Sequence, residues 1–210
     1  MTTSEASARS PVMATITTAG PADRLARHLA ILFCPPVLPV AAGCAVSWHA
    51  TWPSPAGLVW GLTAVACGAL GVAVIVFGVR RGWWPDVHLS RRDDRRWPLV
   101  CATLGAAGVW LLCRHLGAPR ELLAPAAMAP VGGAAVALCT CFGKISLHAG
   151  AAAGSITLLV VRLNPWCALL YPLVALIAWS RVRLGAHTWL QVCAGTALGT
   201  VLTAGVMLAV

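Results

Sequence analysis

The sequence predicts an all-α, polytopic transmembrane helical bundle, and three observations carry that prediction. Hydrophobic residues make up 59% of the 210-residue chain and charged residues only 10%, more apolar surface than a soluble domain of this size can bury. The apolar residues run in segments of roughly 17–23, each long enough to cross a bilayer or nearly so. The charges gather in short clusters between those segments, as they do in membrane loops.

In chain order, the opening MTTSEASARSPVMATITTAGPA is rich in Ser, Thr and Ala and lacks an apolar core. Residues 1–24 therefore read as a disordered tail, not a cleaved signal peptide, and residues 25–210 as one folded domain. The first apolar segment covers about 29–48 and is broken by prolines at 35, 36 and 39. Segments follow at about 57–79, 97–116, 121–142, 146–162, 165–180 and 187–209. Six to seven helices result, six if the chain enters through a re-entrant start, and the segments at 146 and 165 are short. Gly150-x-x-x-Gly154 and Gly195-x-x-x-Gly199 give two of these helices small faces, so the pair is expected to pack closely. Nine cysteines lie inside or at the ends of apolar segments without C-x-x-C spacing, which marks them as small apolar filler rather than disulfide or zinc ligands.

Seven crossings put the tail, the 80–96 loop, the 143–145 junction and the 181–186 junction on one side. Twelve of the 15 Lys and Arg fall there. Three, Arg114, Arg120 and Arg162, fall on the other side. The positive-inside rule assigns the crowded side to the cytoplasm. Setting aside Arg92, Arg95, Lys144 and Arg181 as candidates for chemistry leaves eight against three, with the same outcome. The net charge of +9 flanks membrane spans in short loops, so anionic lipid head groups, not nucleic acid, are the expected partner. Nothing in the sequence speaks for or against a homo-oligomer.

Three constellations on the crowded side carry candidate chemistry. The first is WWPDVHLSRRDDRRWP, residues 83–98. Its plain reading is a stop-transfer loop with an interfacial belt of Trp83, Trp84 and Trp97. If helical, it sets Arg92 and Arg95 on one face, able to grip two oxygens of one phosphate, with Asp86, Asp93 and Asp94 to orient them. The second is Lys144-Ile-Ser146-Leu-His148, at a seam between apolar runs. Its plain reading is a snorkelling lysine, a serine N-cap and an incidental histidine. A serine-capped helix start beside a lysine and a titratable ring is also a place for an anion. Such groups are costly near lipid unless they serve a function. The third is SRVRLGAHTWLQ, residues 180–191. It reads plainly as a basic turn with His187 capping the last long helix. It also offers Arg181 as a fork donor for phosphate, and His187 with Gln191 one helical turn on.

Together these clusters resemble the type 2 phosphatidic acid phosphatase (PAP2) and vanadium haloperoxidase superfamily, whose motifs are K-x6-R-P, P-S-G-H and S-R-x5-H-x3-D. The third is matched at Ser180, Arg181 and His187, and the second at Ser146 and His148, with Ile145 for Pro and Leu147 for Gly. The first departs: no lysine stands seven residues before Arg96, and D-x-H-L-S-x-R-x-x-R, starting at Asp86, is similar to a variant of small bacterial and archaeal members. Order and spacing agree over residues 86–191, about half the chain.

The resemblance implies a PAP2-like bundle and an integral-membrane lipid phosphatase acting on a lipid or isoprenoid (di)phosphate. In that scheme His187 attacks phosphorus to give a phosphohistidine and His148 protonates the leaving oxygen. Arg92, Arg95, Lys144, Arg181 and Ser146 would hold the phosphate oxygens without a metal or other cofactor. Ser180, Gln191 and Asp86 would support them. Gln191 departs from the family's aspartate, so the partner of His187 lacks a negative charge. Two alternatives stand beside this. One is a membrane terpene cyclase or prenyl transferase on the same diphosphate site, with ten tryptophans to stabilise carbocations and Mg²⁺ on Asp86, Asp93 and Asp94, although no DDxxD or NxxxDxxxD run is present. The other is a non-catalytic binder of anionic lipid.

Overall fold

The computed structural model describes residues 20–84 and 96–209, apart from the side chains of Cys67, Leu70 and Arg96. Among the described residues the chain is all-α, with eight α-helices and one 3-10 helix. They are α1 (Pro21–Leu32), α2 (Val37–Thr51), α3 (Ala56–Arg80), α4 (Arg96–His115), α5 (Arg120–Phe142), α6 (Leu147–Arg162), the 3-10 helix (Pro165–Leu170), α7 (Tyr171–Arg183) and α8 (Trp189–Ala209).

Five stretches are long and apolar enough to cross a membrane: α3, α4, α5, the 3-10 helix continued by α7, and α8. A sixth is formed by α1 and α2 if that bent pair is one span, its halves inclined by 48°. Pro35 and Pro36 lie at the bend, where two missing N–H groups leave the helical ladder without donors. The first helix begins at Pro21, ahead of residue 25 where the domain is expected to start. It carries Asp23, Arg24, Arg27 and His28 and buries Ala26 and Leu29 one turn apart.

The expected fifth span is different in kind. With 16 residues, α6 is about 24 Å long, short of the ~30 Å hydrocarbon layer. It does not need to face lipid, because α2, α7, α8 and the 3-10 helix all pack against it. Eight of its residues are buried, more than in any other described helix. Its alanines, Ala149, Ala152 and Ala153, let neighbours approach, and Ile156 joins Val174 and Ile177 of α7 in an apolar cluster beneath them.

The glycine faces meet as their spacing predicts. A Cβ on Gly199 would overlap the carbonyl of Gly150, and one on Gly195 would overlap the carbonyl of Ser146. A Cβ on Gly154 would sit 3.0 Å from Thr203 Oγ1. So α8 can reach α6 only because these positions have no side chain. That close approach draws the start of α8 onto the start of α6.

Candidate functional site

Three chain segments converge at the end of the bundle where α6 and α8 begin: the 143–148 junction, the turn from α7 to α8, and the last turn of α1. The turn from α7 is built by Gly185, whose φ of 65° lies in the left-handed region. Its N–H donates to the Val182 carbonyl at 2.9 Å, and the Ala186 N–H donates to the Arg181 carbonyl at 3.0 Å. This pair of bonds is a Schellman motif, which ends the helix and reverses the chain. The His187 N–H reaches the same Arg181 carbonyl at 3.3 Å. The R-x5-H spacing is thus the span of one helix-terminating turn, and it ties His187 to the backbone of Arg181.

The next helix starts with a capping box. Thr188 is its N-cap: the Gln191 N–H donates to Thr188 Oγ1 and the Thr188 N–H donates to Gln191 Oε1, each at 3.3 Å. His187 therefore precedes the cap and is not the cap itself, which corrects the plain reading of that turn. The released imidazole, 8% exposed, turns Nδ1 to Gln191 Oε1 at 3.0 Å. Because Oε1 already accepts from the Thr188 N–H, it acts as an acceptor toward the ring as well. Nδ1 of His187 then carries the hydrogen, and the neutral ring keeps its lone pair on Nε2.

The second segment is stitched to this one across the helix pair. The Ser146 N–H donates to the Gln191 carbonyl at 3.1 Å, and Lys144 Nζ donates to the Ala186 carbonyl at 2.9 Å. Ser146 is wholly buried and is the N-cap of α6, its Oγ accepting from the Ala149 N–H at 3.4 Å. Two residues on, His148 is 9% exposed and sets Nε2 against the Ala30 carbonyl of α1 at 3.2 Å. Ser180 is also buried, and its hydroxyl donates to the Ile177 carbonyl at 2.8 Å, bracing the last turn of α7. The Arg181 Nε is buried beside it.

Of the residues singled out by sequence, Lys144, Ser146, His148, Ser180, Arg181, His187 and Gln191 lie in these converging segments. Arg92, Arg95 and Asp86 lie outside the described residues, as do Asp93 and Asp94. Among the described residues no three His, Cys, Asp or Glu side chains form a metal-binding group.

Two participants escaped the sequence reading. Thr188 was legible, since T-x-x-Q directly before an apolar run is a capping-box signature. The Ala30 carbonyl was not, because a main-chain group 118 residues from His148 leaves no local trace.

A comparison with known families, curated proteins and solved structures finds no match to this chain.

Proposed function

We propose that the chain is an integral-membrane phosphatase of PAP2 type, removing phosphate from a lipid or isoprenoid (di)phosphate through a phosphohistidine on His187. One observation carries the reading: the Nδ1–H of His187 is held by Gln191 Oε1, which the Thr188 N–H fixes in turn, so that Nε2 is the nucleophilic nitrogen. A capping box accounts for the Thr188–Gln191 pair, but neither it nor a topological arginine cluster requires the His187 ring on the same oxygen. Two buried histidines and a buried N-cap serine at one end of an apolar bundle give it further support.

The chemistry follows in two displacements. Nε2 of His187 donates its lone pair to phosphorus, the phosphorus–oxygen bond to the lipid breaks, and the leaving oxygen takes a proton from His148. Water then attacks the phosphohistidine while His148 takes back a proton, releasing inorganic phosphate and restoring both rings. Lys144 and Arg181, with Arg92 and Arg95, neutralise the charge spread over the phosphate oxygens. The glutamine fixes the tautomer without supplying a negative charge. The positive-inside rule puts this end in the cytoplasm, where isoprenoid diphosphates and phosphatidate are made.

Purified protein in detergent, given farnesyl diphosphate or phosphatidate with and without EDTA, should release phosphate in both conditions and yield a linear alcohol or diacylglycerol. A cyclic hydrocarbon from the prenyl substrate would move the protein to the cyclase class. Undiminished phosphate release by His187→Ala would end the phosphohistidine proposal.

A further inference from the structure

Resting on the phosphatase reading, we propose that α1 is a positioning element for the acid: the Ala30 carbonyl holds His148 with a hydrogen on Nε2, so that Nδ1 is the nitrogen exchanging a proton with substrate. A carbonyl only accepts, so the 3.2 Å contact needs a hydrogen on Nε2. Ala30 is available because it sits in the last turn of α1. The N–H four residues on, that of Cys34, has turned to the Ile31 carbonyl at 3.3 Å, leaving the Ala30 oxygen without its helical donor. The break between α1 and α2 thus creates the acceptor that His148 fills.

The helix is held in place by two features of α7. Ala26, with no exposed surface, and Leu29 lie on the buried face of α1, which packs against α7. Asp23 Oδ1 accepts from Arg183 Nε at 2.8 Å, two residues before the Schellman glycine. The end of α7 therefore anchors both α1, which orients His148, and the turn that carries His187. The two rings bear their hydrogens on opposite nitrogens, Nε2 of His148 and Nδ1 of His187. When His148 is cationic, Nδ1–H is the proton passed to the leaving oxygen, and the ring returns to the tautomer that Ala30 favours.

The test is nitrogen-15 spectroscopy of histidine-labelled, full-length protein in lipid nanodiscs at about pH 8.5, above the ordinary histidine range. Signals are assigned by their loss in His148→Gln and His187→Gln. The expected result is an Nε2–H ring at His148 and an Nδ1–H ring at His187. An Nδ1–H ring at His148 overturns the inference whether or not the protein turns over substrate. A wedge, Ala26→Leu, should push α1 off α7, with folding checked by circular dichroism. It should turn the His148 signal into a mixture of tautomers, leave that of His187 unchanged, and lower kcat about tenfold with KM within about twofold. A folded wedge variant with an unaltered His148 signal also overturns it. Absence of phosphate release from wild type counts against the phosphatase reading alone, since the tautomers are read without substrate.

Discussion

The site where α6 and α8 begin and the far end of the bundle hold polar groups by different contacts. Where α6 and α8 begin, Lys144 donates to the carbonyl of Ala186, 42 residues away, and His148 to that of Ala30, 118 residues away. At the far end the cations lean on soft apolar neighbours. Arg114 lies 5.8 Å from the Trp110 ring centroid one turn back, and Arg162 Nε points at Met207 Sδ at 3.4 Å. The first arrangement fixes polar groups by main-chain bonds between distant segments, while the second lets long side chains snorkel along a membrane boundary. Fixed charge is what phosphoryl transfer needs, because donors already oriented toward a transition state do not reorganise during the reaction.

The sharpest way to break this comparison is to remove a ring at each end. His187→Ala should lower phosphate release by about 10³-fold or more, because the proposed nucleophile is gone. His49→Ala, at the exposed far end of α2, should stay within about twofold of wild type. Equal losses in the two variants, measured as kcat/KM on the same substrate, would show that the ends do not differ in the way argued.

Next in size is the effect of the glycine seam. Gly199→Leu forces a side chain onto the Gly150 carbonyl, and overpacking of this kind costs about 1–3 kcal/mol. The melting temperature in detergent should fall, and phosphate release should fall with it, since the seam sets the distance between Ser146 and Gln191. Gly105→Ala on α4, where a Cβ meets nothing within 4 Å, should be neutral or slightly stabilising. A seam variant that melts like wild type would mean the close approach of α6 and α8 is dispensable.

How far the sequence foretold this geometry depends on whether the interaction is local. The glycine faces, the Ser146 cap and the proline break were legible because each rests on spacing within one helix or turn. The number of spans was not. The segment at 146–162 has the composition of a membrane helix, and only tertiary packing shows it enclosed by its neighbours. Likewise, Gln191 stands where the PAP2 motif that the sequence resembles has aspartate, yet its tie to Thr188 is a second role that the motif does not contain. Ala30 has no chemistry in its side chain at all, so nothing in its letter could point to His148.

A smaller effect is expected at Lys144. Its bond to the Ala186 carbonyl is charge-assisted, and such bonds contribute about 1.5–3 kcal/mol. Lys144→Met keeps the apolar stem, so the helix should still form while the turn before His187 loses one tether. KM for a lipid phosphate should rise about tenfold, with a smaller change in kcat. A change confined to kcat would assign the lysine to the transition state alone.

The finest test lies at Gln191, where two roles meet on one oxygen. Gln191→Leu removes the acceptor for both the Thr188 N–H and the His187 Nδ1–H, so it should cost about 1 kcal/mol of stability through the cap and release the ring tautomer. Gln191→Glu has the same length and keeps both bonds, adding the negative charge that aspartate provides in the PAP2 motif the sequence resembles. If neutrality is merely tolerated, this variant should match or exceed the wild-type rate, by up to about tenfold. A large loss in Gln191→Glu, with the melting temperature unchanged, would mean that the site depends on a neutral partner. The reason would lie in the cations proposed to hold the phosphate: a carboxylate beside the His187 ring would compete with the phosphate for Lys144 or Arg181.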